Sequence, residues 1–168
     1  MANYYSPTVI QPTIPEADIT PLERLLLESI FSASDSADGG GLYFYAEEGP
    51  VDFIVLSRAE IEEALAASNG AAGTAATFVA ERLLRFAPEE AEIDLELSGA
   101  SIWEAIFQEI VRRSPTLRYV TVITSFECSK MRPDGFGGMA VLITADRILS
   151  KSTHDLIAEF LAETGLDA

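Results

Sequence analysis

One cysteine and one histidine in 168 residues leave little room for several kinds of chemistry. A lone cysteine makes no internal disulfide, no C-x-x-C redox pair and no thiolate zinc site. A lone histidine excludes H-E-x-x-H and every His-rich metal site. No G-x-x-x-x-G-K-[ST] and no G-x-G-x-x-G follows a strand-like run, so the usual cradles for phosphates and dinucleotides are missing. The stretch "DSADGGG" has the composition of half a calcium loop without its D-x-[DN]-x-[DN]-G ligand spacing. Basic residues are scarce, and no basic face interleaved with aromatics is present, so direct contact with RNA or DNA is not expected. No apolar run approaches the ~18–20 residues that cross a bilayer. The start, "MANYYSPTVIQPTIPEADIT", has neither the basic beginning nor the continuous apolar segment of a secretory signal. These absences predict a cytoplasmic protein with no cofactor, no metal and no membrane partner.

What is present is acid. Twenty-seven Asp and Glu against eleven Lys and Arg give a net charge of −16. Residues 1–63 hold twelve acids and two bases, and residues 64–111 hold eight and two. Residues 112–168 hold seven of each, so the last third is neutral. A field of this sign repels nucleic acid and anionic membranes and favours a basic protein partner.

The periodicities predict an extended arm over residues 1–19, with an edge strand at Thr8–Ile10, followed by an α+β domain over 20–168. Thr20, Pro21 and Glu23 form a capping box with proline at the first helical position, and Leu22, Leu25, Leu26 and Ile30 share one face of the helix that follows. "SASDSADGGG" reads as a flexible loop. "LYFYA" and "VDFIVL", flanking "EEGP", read as a β-hairpin. Ser57 and Glu60 repeat the capping box before a short helix that "SNGAAG" breaks. Residues 75–86 form another helix, with Phe78, Val79, Leu83 and Phe86 toward the core. Ser101 with Glu104 caps a helix whose Ile102, Ile106 and Ile110 lie four apart, with Arg112 and Arg113 at its negative end. "RYVTVITSF" reads as a central strand, "GMAVLITA" as a second, and Thr153 as the cap of a last helix that Gly165 ends. This order predicts a mixed, largely antiparallel sheet of about five strands packed by four to five helices.

Two segments carry candidate function. In "FECSKMRPDGFGG", Pro133 presets a turn and Gly135 is free to take a positive φ. An eleven-residue connection there exceeds the usual hairpin length. As a recognition loop it offers Lys130, Arg132 and Asp134, with Met131 and Phe136 as apolar anchors. A Cys128–His154 dyad is the one covalent mechanism the composition allows, because a thiolate nucleophile needs a neighbouring imidazole. "CSKMRPDGFGGMAVLITAD", "ANYYSPTVIQP" and "TPLERLLLESIF" leading to "LYFYAEEGP" resemble segments of small accessory proteins of proteobacterial plasmids and related mobile elements. That resemblance implies a genetic neighbourhood and transfers no activity or site residue.

The second segment is "EEAEIDLELS". As a strand it sets Glu90, Glu92, Asp94 and Glu96 on one face and Ala91, Ile93, Leu95 and Leu97 on the other. Carboxylates two residues apart stand about 6.6–6.8 Å apart along the strand, half the density of the phosphates of one DNA strand, which rise about 3.4 Å per charge. Glu60, Glu62, Glu63 and Glu81 would extend the row if they fold to the same side. The sequence therefore predicts a non-enzymatic, acidic protein-interaction module. One form of it is a DNA mimic that inhibits a nucleic-acid-handling protein, of the anti-restriction or anti-CRISPR kind that mobile elements carry. A ligand-binding or enzymatic domain using the 128–138 loop is the alternative, and a self-associating homo-oligomer built through apolar strands is the third reading.

Overall fold

The computed structural model describes residues 2–36, 39–68, 73–97 and 102–166. In chain order it comprises β1 (Tyr4–Tyr5), β2 (Thr8–Gln11), β3 (Ile14–Pro15), α1 (Pro21–Ile30), β4 (Ser32–Asp35), β5 (Gly41–Ala46) and β6 (Phe53–Ser57). Then come α2 (Arg58–Ala67), α3 (Thr74–Leu83), β7 (Glu92–Glu96), α4 (Ile102–Arg113), β8 (Tyr119–Cys128), β9 (Gly137–Thr144), β10 (Ile148–Ser152) and α5 (Thr153–Thr164). The class is α+β, as the sequence predicts, but the main sheet is larger than expected. Eight strands build it, not about five, and every pairing is antiparallel.

The strand order is β10-β9-β8-β2-β5, with β1 added to the far end of β8. Strand β5 is paired on both edges: Tyr45 meets both Val9 and Ser32, and Leu42 meets both Ile14 and Asp35. Pro12 interrupts β2 and β3, which pair with successive halves of β5, because proline has no N–H to give to a ladder. The strand at Thr8–Ile10 is therefore interior to the sheet and not an edge. Thr8 and Ile10 are buried, and the Thr8 and Thr124 hydroxyls bond at 3.0 Å beneath the helices. β4 occupies part of the stretch read as a flexible loop.

The pair β6–β7 stands apart as a two-stranded ribbon, with Ile54, Ile93 and Leu95 turned into the common core. This replaces the expected hairpin of β5 with β6. Both edges of β5 are already taken, so the chain leaves the sheet through Gly49, whose φ of 124° suits a residue without Cβ. β6 then finds its partner some forty residues on.

Helices α1 and α4 lie on the inner face, where Leu22, Leu26, Leu27 and Ile30 of α1 and Ile106, Phe107 and Ile110 of α4 are buried. Capping follows the sequence at Thr20/Glu23 and Ser57/Glu60. At α5 the cap is Ser152, paired with Asp155, and not Thr153. Ser152 reaches the third helical N–H where Thr153 is already helical. α3 has no cap of its own. Glu109 of α4 accepts from the Thr74 backbone N–H at 2.9 Å and its hydroxyl at 2.8 Å, putting a carboxylate at the positive end of the helix. The expected cap Ser101 and the break at 69–72 lie outside the described residues.

Candidate protein-binding site

The acidic strand folds as its alternation predicts. Glu92, Asp94 and Glu96 of β7 face solvent while Ile93 and Leu95 are buried. Glu90 is the exception. It precedes the strand in a turn, where its carboxylate accepts from the Ala87 N–H at 2.9 Å. Arg58 holds that turn from the side, donating to the carbonyls of Glu90 and Ala87 at 2.8 Å each. The stripe thus consists of three carboxylates, with the fourth committed to local structure.

Sequence reasoning missed the other half of this face. β7 pairs with β6 in the register Phe53↔Glu96, Val55↔Asp94 and Ser57↔Glu92, and cross-strand partners point the same way. Phe53 is 52% exposed and Val55 51% exposed, beside the carboxylates and not behind them. The alternation of Phe53 and Val55 against Ile54 and Leu56 was readable in "VDFIVL". Its significance was not, because the pairing with residues 92–96 is not local. Of the helical acids, Glu60 is turned to the cap of Ser57, which sits opposite Glu92. Glu62 lies 3.7 Å from Arg58.

The 128–138 segment sits elsewhere, on the main sheet. The connection from β8 to β9 is Ser129–Phe136, eight residues and not eleven, because β8 continues to Cys128 by pairing with β1 and β9 begins at Gly137, opposite Phe126. Its tip presents Lys130, Met131, Arg132 and Asp134 to solvent. The residue with positive φ is Met131, at 50°, and not Gly135. Gly135 is buried against Cys128 and the ring of Tyr4, where a Cβ would collide with both. Arg132 donates to the Tyr4 hydroxyl at 3.3 Å, and Phe136 borders an open pocket with His154, Ile157 and Leu161 of α5.

Cys128 is buried, and no hydrogen bond joins it to His154 among the described residues. The backbone N–H of Lys130, helped by that of Arg132 and by the Tyr4 hydroxyl, lowers the thiol below its ordinary value against the opposing effect of burial. A thiol held low in the folded state stabilises that state once pH exceeds the folded value. The gain grows until the unfolded chain also ionises, near pH 8.5. Under reducing conditions, urea midpoints of the wild type should therefore rise relative to Cys128→Ala as pH moves from neutral to about 8.5. A difference flat across that window would show that these donors do not favour the thiolate.

No helix among the described residues is long and apolar enough to cross a membrane, and no group of three His, Cys, Asp or Glu side chains is placed to hold a metal ion. No protein family, curated protein or solved structure matches the chain.

Proposed function

We propose that this chain is a non-enzymatic binding module whose β6–β7 face docks a basic protein surface. The observation that carries the reading is the cross-strand register that sets Phe53 beside Glu96 and Val55 beside Asp94, with Glu92 next along β7, on one solvent-facing ribbon. Apolar anchors with a row of carboxylates beside them suit a partner that combines cations with an apolar pocket. The anchors supply hot-spot area and the acids steer the encounter. A DNA-binding cleft is one surface of that chemistry, and the net charge of −16 favours it. The three carboxylates alone imitate a phosphate row incompletely, since their pitch is twice that of the phosphates on one DNA strand.

The test is affinity capture from a nuclease-treated host lysate with elution in a salt gradient. Wild type is compared with Glu92→Gln/Asp94→Asn/Glu96→Gln and with Phe53→Ser/Val55→Ser. A basic protein retained by the wild type should be lost by the apolar variant. The neutralised variant should bind it on the order of tenfold more weakly, chiefly through slower association. Equal retention by all three at low salt would overturn the reading. Competition of the captured partner by duplex DNA would separate DNA mimicry from binding at some other basic surface.

A further inference from the structure

The main sheet loses register at Pro12. Val9 pairs with Tyr45 but Ile14 with Leu42, so five steps along β2 and β3 match three along β5. The two extra residues bulge at Gln11–Thr13, where proline has no N–H to bridge the gap. Beside the bulge lies an open cleft of about 470 Å³, lined by Gln11, Pro12, Thr13, Tyr43, Tyr119 and Thr121. That volume is in the range of small-molecule sites, about 300–1,000 Å³. Tyr43, Tyr119 and Thr121 alternate with buried Leu42, Phe44, Val120 and Val122, so their side chains stand on the face turned away from α1 and α4. Gln11 pairs with Thr121 and points the same way.

Two aromatic rings and a set of uncharged polar groups make up this lining. Tyr43 is half-buried, and its ring stacks on that of Tyr45 at 5.4 Å and 19°. Tyr45 is not part of the lining, so it supports the Tyr43 ring from outside the cleft. Tyr119 is 50% exposed and is the second ring. Among the described residues, the Gln11 amide and the hydroxyls of Thr13, Tyr43 and Tyr119 have no intramolecular hydrogen bond. The Thr121 hydroxyl donates to the Gln11 carbonyl at 3.3 Å and keeps its own lone pairs free to accept. No Asp, Glu, Lys or Arg lines the cleft, in a chain of which 23% is charged. A cationic ligand finds no counter-charge there, and an anionic one meets the field of the net −16.

We propose that this cleft binds a neutral saccharide. A sugar ring presents C–H groups on its faces and hydroxyls around its rim. The C–H groups pack against the electron-rich faces of aromatic rings such as Tyr43 and Tyr119. Each sugar hydroxyl both donates and accepts, and so do the amide of Gln11 and the hydroxyls of Thr13, Tyr43 and Tyr119. A neutral nucleobase would use the rings but leave most of these groups without a partner. The cleft shares no residue with the β6–β7 ribbon, so it stands or falls independently of the protein-docking reading.

Saturation-transfer NMR on the full chain tests this, with neutral trisaccharides of the cello-, malto-, xylo- and N-acetylchito- series as probes. Transfer to the ring C–H protons of at least one series is expected. Tyr119→Ala should weaken that binding on the order of tenfold, through the lost ring contact. Gln11→Ala should weaken it as well, by removing hydrogen bonds and no aromatic surface. The near-ultraviolet signal of Trp103, which packs against the core, should be unchanged in both variants and separates lost binding from lost folding. Glu92→Gln/Asp94→Asn/Glu96→Gln should bind the sugar as the wild type does. Three results would overturn the proposal. One is no transfer to any of the series at millimolar sugar, and another is transfer undiminished by Tyr119→Ala and Gln11→Ala. The third is tighter binding of uridine or glucuronate than of any neutral sugar.

Discussion

Phe107→Ala is expected to remove about 3–5 kcal/mol from the folding free energy, a large share of the roughly 5–15 kcal/mol typical of a native protein. Phe107 is fully buried on α4 and touches three other rings. Its centroid lies 5.8 Å from Phe44 of β5, 6.2 Å from Phe31 and 6.5 Å from Trp103. Phe31 closes the cluster, standing edge-on to Trp103 at 5.6 Å and to Phe44 at 6.4 Å. These edge-to-face contacts add to area burial by about 0.5–1.5 kcal/mol per pair, which places the loss toward the upper end. The cluster also ties the end of α1, strand β5 of the sheet and α4 together, so the cavity cannot be closed by the movement of one element. Phe107→Leu keeps most of the volume and should cost under about 1.5 kcal/mol if it repacks. The check is the shift in denaturant midpoint at unchanged m-value. A loss below about 1 kcal/mol for the alanine variant would mean that the site collapses and that the ring cluster does not organise the core.

How much of this was legible in the sequence depended on how far apart the deciding residues are. Capping at Thr20/Glu23 and Ser57/Glu60 spans three residues, so it could be read directly, as could the inward stripe of Ile102, Ile106 and Ile110. The alternation in β7 was equally plain, because period two is a property of the strand alone. The β5–β6 hairpin failed for a global reason: β5 is claimed by β2, β3 and β4, and no local signal says so. The N-terminal stretch looked like an arm because its prolines suppress regular periodicity. Its burial rests on pairing with β8 more than a hundred residues away, as at Thr8 and Thr124. The same cause hid half of the candidate site. Glu92, Asp94 and Glu96 were found as a row, while Phe53 and Val55 joined it only through strand pairing. Lys130, Arg132 and Asp134 are exposed on the loop that the turn signal of Pro133 marked in the sequence. The tight packing of Gly135 on Cys128 and Tyr4, and the extension of β8 by β1, were not visible without the register.

Arg113→Ala should cost about 3–5 kcal/mol, the penalty for leaving a buried charge without its partner. Glu23 is 3% exposed, and the Arg113 guanidinium approaches both of its oxygens, at 2.9 and 2.7 Å. The same carboxylate closes the α1 capping box by accepting from the Thr20 N–H at 2.9 Å. Arg113 also donates to the Asp18 carbonyl at 2.8 Å, so its removal frees the segment entering α1. The two partners are unequal, because the Arg113 side chain is 41% exposed and can turn to water once Glu23 is neutral, whereas Glu23 has no such exit. Glu23→Gln keeps an oxygen for the Thr20 N–H and leaves no buried charge, so it should cost clearly less than Arg113→Ala. Adding Glu23→Gln to Arg113→Ala should then recover part of the loss, a coupling that a double-mutant cycle measures. If Arg113→Ala costs no more than about 1 kcal/mol, the pair behaves as a surface bridge, and the placement of Glu23 in the interior is wrong. If Glu23→Gln costs as much as Arg113→Ala, the carboxylate is needed for its charge at the helix start and not only to pair with the guanidinium.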